Sequence, residues 1–323
     1  MRRDLIPWLV GLGLLVLGFG GAVLTLNTQL YSASGFVRGY LEALENRDSA
    51  AALDVPGVRT TTQGADALLT DDAMGRLGGI SLVRDTAGAG GTRTVVFDYT
   101  LGAAKAEGRT EFTVMQTGTR FGLFPTWRFV ASPLSTLSVS VLHDDRFEAN
   151  GLELVSPSGA GAASGLLVFA PGVYELGHES TYLAAKPVST EVTTLGSIAD
   201  VAIDVQANAT FVEQVQADLA TALDDCATQK ILMPTGCPFG QPVSNRIDGD
   251  PKWSIVDYPE VEIEPGEIAG EWRMPFAPGT AHLRVPVRSL FDGTLSTFDD
   301  DVPFTAEYTI TFVDGRIVLT EAG

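Results

Sequence analysis

Residues 6–26 read IPWLVGLGLLVLGFGGAVLTL, a run of 21 residues that contains no charged side chain. A helix rises about 1.5 Å per residue, so this run would extend over about 31 Å, close to the thickness of a bilayer's hydrocarbon core. A helix also satisfies its own backbone hydrogen bonds, which makes lipid a tolerable solvent for it. The stretch predicts a transmembrane anchor at 6–26, and the location of the remaining chain is inferred from this anchor.

The charges that flank this run predict its orientation. Arg2 and Arg3 precede it, whereas residues 27–34 carry no positive charge. Positively charged flanks stay in the cytoplasm, so the pattern predicts a cytoplasmic stub at 1–5 and an extracellular ectodomain after the anchor. The predicted location is the cell membrane, with a single pass.

A cleaved signal peptide is the alternative interpretation of the same run. Its apolar region would be expected to extend over about 7–15 residues, which is shorter than the run seen here. Ser32 and Ser34 could still form a cleavage site. No cysteine follows the run closely enough for a lipoprotein anchor.

The composition excludes two broad classes of protein. With 45% hydrophobic and 19% charged residues, the chain is too apolar and too weakly charged to be disordered. The formal net charge of −19 argues against a nucleic-acid partner, because phosphate binding needs clustered lysine and arginine. We therefore expect a folded, acidic ectodomain.

The two cysteines predict a disulfide. Cys226 and Cys237 are the only cysteines of the chain. In an oxidising compartment such a pair most simply forms one bond, and closing this loop would stabilise the fold by roughly 2.5–3 kcal/mol. A metal site is the weaker interpretation, because the chain has no CxxC motif and no histidine near the pair.

The order of apolar patterns predicts an α+β fold, and it begins with a module at 32–132. Apolar residues at helical spacing over 36–44 predict a first helix, and Asp48 is placed to cap a short second one. A third helix is expected over 65–77. Alternating and aromatic-rich runs over 95–130 then predict a cone-like antiparallel sheet packed on these helices.

Two further modules follow. Short apolar runs separated by Gly, Pro and Ser predict a small all-β module at 133–207. The last module, 208–323, repeats the order of the first. A capping box at Thr210 and Glu213 begins a helix, and strand-like runs follow, the last two joined by a hairpin turn at Asp314-Gly315.

Three stretches carry a resemblance to known families. FVRGYLEALENRDSAAAL at 36–53, followed by a meander, resembles the nuclear-transport-factor-2-like modules of exported actinobacterial proteins. CATQKILMPTGCPFG at 226–240 and PKWSIVDYPEVEI at 251–263 resemble ectodomain segments of membrane-anchored envelope proteins of that group. More distantly, the layout is similar to the teicoplanin-resistance-associated membrane protein family, whose β modules carry a PG-x-Y turn like that at 171–174.

The resemblance implies a role in envelope maintenance or sensing, without a known reaction. The sequence departs from the teicoplanin-associated family in one respect, since it has no cysteine ahead of the anchor, where that family has a cytoplasmic zinc ribbon.

Motifs for catalysis or metal binding are missing from the sequence. His143, His178 and His282 are far apart and are expected at exposed loop or strand positions, and no GxSxG motif occurs. The acidic clusters at 299–301 and 248–250 lack the full pattern of a calcium loop, so we expect solvated loops there. The sequence predicts no catalytic, cofactor-binding or metal-ligating residue.

One pocket hypothesis remains open. Cone-like folds often hold a pocket between helix and sheet, and Tyr40, Asp98 and Tyr99 could line one. Asp98 would then act as a proton-transferring base, with a tyrosine as oxyanion donor, in a chemistry similar in kind to ketosteroid isomerase. Strand alternation favours the opposite arrangement, with Phe97 and Tyr99 facing the core and Asp98 facing water.

The sequence therefore predicts a non-enzymatic, membrane-anchored extracytoplasmic protein. Its expected partners are the membrane, through the N-terminal helix, and an envelope protein or wall polymer, with no cofactor and no nucleic acid. Binding or sensing of a small molecule through a module pocket is the alternative, and an isomerase- or hydrolase-type enzyme is a remote one.

Overall fold

The computed structural model describes residues 5–60, 66–313 and 315–321, and it confirms the α+β fold class. Helix α1 spans Leu5–Gln29. From Gly11 to Gln29 it is long and apolar enough to cross a membrane, and none of that stretch is buried inside the protein. Arg2 and Arg3, on which the predicted orientation depends, lie outside the described residues.

Two short helices follow as the sequence predicts. Helix α2 spans Ala33–Glu45 and buries one face that includes Val37, Tyr40 and Leu41. Helix α3 spans Ser49–Asp54, and the side chain of Asp48 accepts a hydrogen bond from the amide of Ala51. Asp48 is therefore the predicted N-cap.

These helices pack against an antiparallel sheet in the order β1-β2-β3-β4. The strands are β1 (Leu77–Ala87), β2 (Thr92–Leu101), β3 (Ala106–Arg120) and β4 (Phe124–Phe129). Alternate residues of the central strands, such as Phe97 and Phe112, join Tyr40 in one hydrophobic core. The packing of helices on an antiparallel sheet is the one expected from the alternating pattern, and the cone-like shape stays a prediction.

The predicted third helix is wrong over its described residues. Residues 66–76 form isolated turns, and strand β1 begins at Leu77. The apolar spacing is real, since Leu68, Leu69 and Met74 are buried, but a series of turns delivers them to the core. The Asp71 carboxylate accepts a hydrogen bond from the amide of Ser49 at 2.8 Å, so this segment is fixed by a contact distant in sequence.

A seven-stranded sheet lies within 133–207, and this range contains strands and turns but no helix. Its strands are β5 (Leu134–Leu142), β6 (Arg146–Ala149), β7 (Leu152–Val155), β8 (Ala163–Phe169), β9 (Gly172–Glu179), β10 (Leu183–Val192) and β11 (Ile198–Ala207). They are arranged in the order β7-β6-β9-β10-β11-β5-β8.

The remaining chain forms a helix and a third sheet. Helix α4 (Ala209–Ala227) precedes β12 (Arg246–Ile247), β13 (Lys252–Asp257), β14 (Glu264–Pro265), β15 (Glu271–Arg288), β16 (Leu295–Val313) and β17 (Arg316–Glu321). Strand β15 pairs with β12, β13, β14 and β16, and β17 pairs with β16. The hairpin predicted near Gly315 is confirmed by the pairing of Val313 with Arg316, whereas Asp314 lies outside the described residues.

Two local predictions in this part are wrong. The N-cap of α4 is Asn208, whose side chain accepts from the amide of Phe211 at 3.0 Å, so Thr210 and Glu213 lie inside the helix. The acidic run 299–301 belongs to strand β16, where its residues pair with Arg284, Leu283 and His282 of β15. Basic cross-strand partners offset the poor strand propensity of aspartate.

By internal contacts the chain divides into two compact units. The first contains the residues up to Ser140, Arg146–Gly177 and Pro187–Ile203, and the second contains Val141–Asp145, His178–Lys186 and the residues from Asp204 onward. The three sheets fall within the ranges predicted from sequence, but the units are two. The three-module boundaries at 32–132, 133–207 and 208–323 therefore stay a prediction.

Candidate functional site

The residues predicted to line a pocket lie in two different environments. Tyr40 on α2 is fully buried, and its single hydroxyl proton is shared between the carbonyl oxygens of Pro133, at 2.9 Å, and Ala170, at 3.1 Å. Burial raises the pKa of the Tyr40 hydroxyl well above its usual value. This side chain therefore fixes the helix to two backbone carbonyls and stays neutral.

Tyr99 on β2 faces the same core. Its hydroxyl oxygen lies 2.5 Å from that of Thr110, and Thr110 donates its proton to the carbonyl of Thr193 at 2.6 Å. Because a threonine hydroxyl has one proton to give, Tyr99 is the donor in the first bond. Burial raises the pKa of Tyr99 to about 12, so this phenol is also neutral.

Asp98 lies on the other face of the sheet. Its two carboxylate oxygens accept from Arg109 Nε at 2.6 Å and Nη2 at 2.8 Å, and the side chain is 40% exposed. The hydrogen bond from Arg109 lowers the pKa of Asp98. A carboxylate that abstracts protons near neutral pH needs a raised pKa instead. The structure thus brings Tyr40 and Tyr99 into one core and leaves Asp98 outside it.

A surface hollow of about 500 Å³ lies beside this ion pair. Asp98, Tyr99 and Arg109 are among its lining residues, but Tyr40 is not. The two tyrosines and the aspartate that the sequence grouped together therefore do not share this hollow.

A second cavity in the first unit, of about 390 Å³, is one that sequence reasoning missed. We call it the arginine cleft, after Arg47 and Arg76. Its other lining residues are Gly75, Gly102, Ala103, Glu148, Asn150, Gly151, Val173, Glu175, Leu176, Gly177 and Pro187. The volume is within the range of small-molecule sites.

Close backbone packing forms one wall of the arginine cleft. A Cβ atom on Gly75 would lie 2.2 Å from the carbonyl oxygen of Val173, so only glycine fits there. The side-chain nitrogen of Asn150 donates to the backbone carbonyls of Ala73 at 2.8 Å and Val173 at 3.1 Å. Its side-chain oxygen accepts from the backbone amide of Glu175 at 2.9 Å. These bonds hold the wall in one conformation, as expected for a preformed site.

Side chains of both charges line the cleft, two arginines and two glutamates. Arg47 follows α2, Arg76 precedes β1, and both are exposed and have no ion-pair partner in the described part of the chain. Glu148 and Glu175 line the same cavity and carry the opposite charge. A guanidinium fork matches a carboxylate or phosphate, so the arrangement can bind a small polar molecule that carries an anionic group.

The cleft escaped the sequence analysis because its residues come from separate segments of the chain. Only weak local signals mark it, such as the turn residues Asn150-Gly151 and the glycine at 102, all three with positive φ. Such turns are common, so they did not point to a cavity.

In the second unit, His282 on β15 lies between two carboxylates of β16. Its Nε2 is 2.9 Å from Asp299, and its Nδ1 is 2.8 Å from Asp301. The hydrogen bond to Asp301 raises the pKa of His282. His282 and the two aspartates therefore make cross-strand contacts between β15 and β16. Within the described ranges, no group of three or more His, Cys, Asp or Glu side chains could hold a metal ion.

The prediction that every histidine is exposed is wrong for His178. This side chain is buried on β9, and its Nε2 lies 3.2 Å from the Ser180 hydroxyl. His143 is partly exposed and lies 3.4 Å from an oxygen of Asp204.

The predicted disulfide is confirmed. Cys226, at the end of α4, is bonded to Cys237, and their Cα atoms lie 5.9 Å apart. Inside the loop that it closes, the Gln229 side chain accepts from the amide of Thr235 at 2.9 Å and donates to its carbonyl at 3.2 Å. A disulfide of this kind is typical of an oxidising compartment.

The most specific arrangement in the first unit joins the end of α1 to the β3–β4 hairpin. The side-chain amide of Asn27 donates to the carbonyl of Leu123 at 3.0 Å. The rings of Tyr31 and Phe124 lie 4.4 Å apart, and Trp127 Nε1 donates to the carbonyl of Tyr31 at 2.9 Å. The last turn of the apolar helix, through Asn27, and the residue Tyr31 just after it therefore contact the β3–β4 hairpin.

Comparison of the chain with models of known protein families, with curated proteins and with solved structures finds no match.

Proposed function

We propose that this chain is a single-pass membrane protein whose ectodomain lies outside the cytoplasm and binds an envelope protein or wall polymer without catalysing a reaction. The apolar helix and the disulfide indicate a membrane-anchored or secreted chain. The resemblance to exported actinobacterial modules supports a role in envelope maintenance.

The observation that carries the proposal is the junction between α1 and the sheet. A signal sequence that is cut off has no use for contacts with the mature protein. Here Asn27 and Tyr31 contact the β3–β4 hairpin through side chains and backbone. The final turn of α1 also continues into the folded part, because the amides of Leu30 and Tyr31 both donate to the carbonyl of Leu26. These contacts support a retained anchor.

An exposed apolar turn in the second unit supports binding of a protein. The turn between β15 and β16 carries the exposed Leu290 and Phe291, with Phe291 99% exposed, and the exposed Leu295 follows as the first residue of β16. Exposed apolar clusters mark interaction sites, and aromatic side chains supply most of the binding energy of many interfaces. Of the two proposed partners, an envelope protein and a wall polymer, this turn fits a protein with a hydrophobic pocket.

The experiment is crosslinking on intact cells, followed by affinity capture and mass spectrometry, with an anchor-only chain as control. The full chain should resist extraction from membranes by alkaline carbonate, and externally added protease should reach the ectodomain. One envelope protein should be enriched over the anchor-only control.

A pair of matched variants sharpens this experiment. Phe291→Ser should remove the captured protein, whereas Phe276→Ser, at another exposed phenylalanine of the second unit, should retain it. Equal capture by both variants would show that the apolar turn is not the binding surface. Release of the chain by carbonate would contradict the anchor itself.

A second candidate function, binding of a small anionic molecule, is favoured by the arginine cleft. Its specific observation is that the guanidinium groups of Arg47 and Arg76 have no ion-pair partner among the described residues. We expect a di- or tricarboxylate to raise the melting temperature of the full chain in detergent. Arg76→Gln should abolish that shift, and Arg84→Gln, which changes an exposed arginine paired with Glu111, should retain it. A panel of such anions that gives no shift would remove this candidate.

A further inference from the structure

The turn between β3 and β4 holds an aromatic residue in an unfavourable conformation. Phe121 has a φ of 54°, in the left-handed region that bulky side chains rarely adopt. Its side chain is nevertheless 81% exposed, and the neighbouring Leu123 is 44% exposed. Glycine or asparagine would fit this position at lower cost, so packing within the described protein does not explain the phenylalanine.

The position of this turn is set by the apolar helix. Leu123 accepts a hydrogen bond from Asn27, which directly follows the uncharged run 6–26. If that run fills the hydrocarbon core, Asn27 lies at its outer boundary, and the turn bonded to it lies at the same depth. Leu30, 66% exposed, adds apolar surface close by in the chain.

The chemistry of the turn matches this depth. Aromatic rings favour the boundary between acyl chains and headgroups. The guanidinium of Arg120 lies 5.5 Å from the centre of the Phe121 ring, so a cation accompanies the ring at the level where lipid phosphates would be. Exposed apolar side chains next to a basic side chain are the pattern of an interfacial membrane contact.

We propose that Phe121 and Leu123 insert into the interface on the outer side of the bilayer that α1 crosses, and that they form a second membrane contact beside α1. This contact orients the first unit on the bilayer, because Asn27, Tyr31 and Trp127 already fix the hairpin to the helix. The inference rests on the proposed membrane anchor. Its occupant is lipid, and a second copy of the chain or another protein at this turn is an outcome that would contradict it.

The test is photocrosslinking of the full chain in vesicles of phosphatidylcholine and phosphatidylglycerol. In one variant p-benzoylphenylalanine replaces Phe121, which preserves the aromatic ring. In the matched control it replaces Lys105, which has the same φ of 54° in the exposed turn at the other end of β3. After irradiation, mass spectrometry identifies lipid adducts, and carbonate extraction reports anchorage in the same samples.

The expected result is a phospholipid adduct at position 121, none above background at position 105, and resistance of both variants to carbonate. Resistance to carbonate with no lipid adduct at position 121, or with an adduct only to a second copy, would overturn the inference and leave the anchor intact. Release by carbonate would overturn the anchor and, with it, the inference. A second arm without phosphatidylglycerol tests Arg120, and the adduct yield at position 121 should fall there.

Discussion

The two ends of strand β3 share one backbone feature and differ in their surface side chains. Lys105, before the strand, and Phe121, after it, are both non-glycine residues with a φ of 54°. The first end, here called the polar end, carries the charged Lys105 among small residues and borders the arginine cleft. The second end carries exposed apolar side chains beside the apolar helix. A positive φ at a turn residue thus does not indicate what the turn contacts, and the location of each turn in the fold does.

The strand between these ends is long. Its 15 residues extend over roughly 50 Å at the usual rise per residue. Between the turns, Thr110, Phe112 and Val114 are buried in the core of the first unit. Substitutions in the core, at the two turns and at a surface ion pair separate what holds this strand from what its ends contact.

The largest effect is expected from Phe112→Ala, which would break the core that both ends depend on. Phe112 is fully buried and its ring contacts those of Tyr40 and Phe129. The free energy of unfolding should fall by about 3–5 kcal/mol, because a large cavity remains. Chemical denaturation of the full chain in detergent measures this loss. Phe121→Ala is the control and should change stability by no more than about 0.5 kcal/mol, as expected for an exposed site.

A smaller loss is expected from Gly108→Ala, near the polar end of the strand. An added Cβ atom would lie 2.3 Å from a ring carbon of Tyr99, which is held by its bond to Thr110. Overpacking of this kind should destabilise the first unit by about 1–3 kcal/mol. Gly118→Ala is the matched control on the same strand, because its nearest atom is 3.7 Å away. Equal melting temperatures for both variants would show that Tyr99 has room to move.

The third prediction compares the two turns directly. Phe121→Asn and Lys105→Asn should each stabilise the chain in detergent by up to about 1 kcal/mol, because asparagine tolerates the left-handed region. In vesicles, Phe121→Asn should in addition lower protection of the hairpin amides from hydrogen exchange, and Lys105→Asn should not. A loss of stability for Phe121→Asn in detergent would indicate that the ring packs on the protein instead.

The smallest effect concerns the Asp98–Arg109 pair near the polar end. Arg109 lowers the pKa of Asp98, so the pair contributes stability above the unfolded pKa of about 3.9, and this contribution is lost as pH falls through the folded value. The difference in unfolding free energy between the wild type and Asp98→Asn should therefore shrink as the pH falls below about 4. High salt should reduce the same difference, because both side chains are exposed. A difference that is constant over pH would contradict this assignment.

Much of the first unit could be predicted from local patterns. The spacing at 36–44 and the cap at Asp48 specify helices by contacts within one turn, and the alternation of Phe97 and Tyr99 specifies a core-facing strand. Residues 66–76 could not be predicted in the same way, because their turns are fixed by Asp71 bonding to Ser49. An apolar spacing alone does not show whether a helix or a series of turns delivers the side chains.

Contacts between segments distant in sequence also decided the local structure of one stretch in the second unit. Three successive aspartates at 299–301 have poor strand propensity, so the sequence predicted a loop. Pairing with His282 and Arg284 across β15 places them in a strand instead. Partners about fifteen to twenty residues away decided the outcome, and the local sequence does not contain them.

By itself, the sequence determined the apolar helix, the cysteine pair and the alternation of helix and strand, because each depends on residues close together in the chain. Only the tertiary structure decided which polar groups meet. It paired Asp98 with Arg109, assembled the arginine cleft from separate segments, and brought the β3–β4 turn to the end of α1 through Asn27 and Leu123. The physical reason is that hydrophobic periodicity is a property of one segment, whereas a site is a property of several segments whose register is fixed by packing.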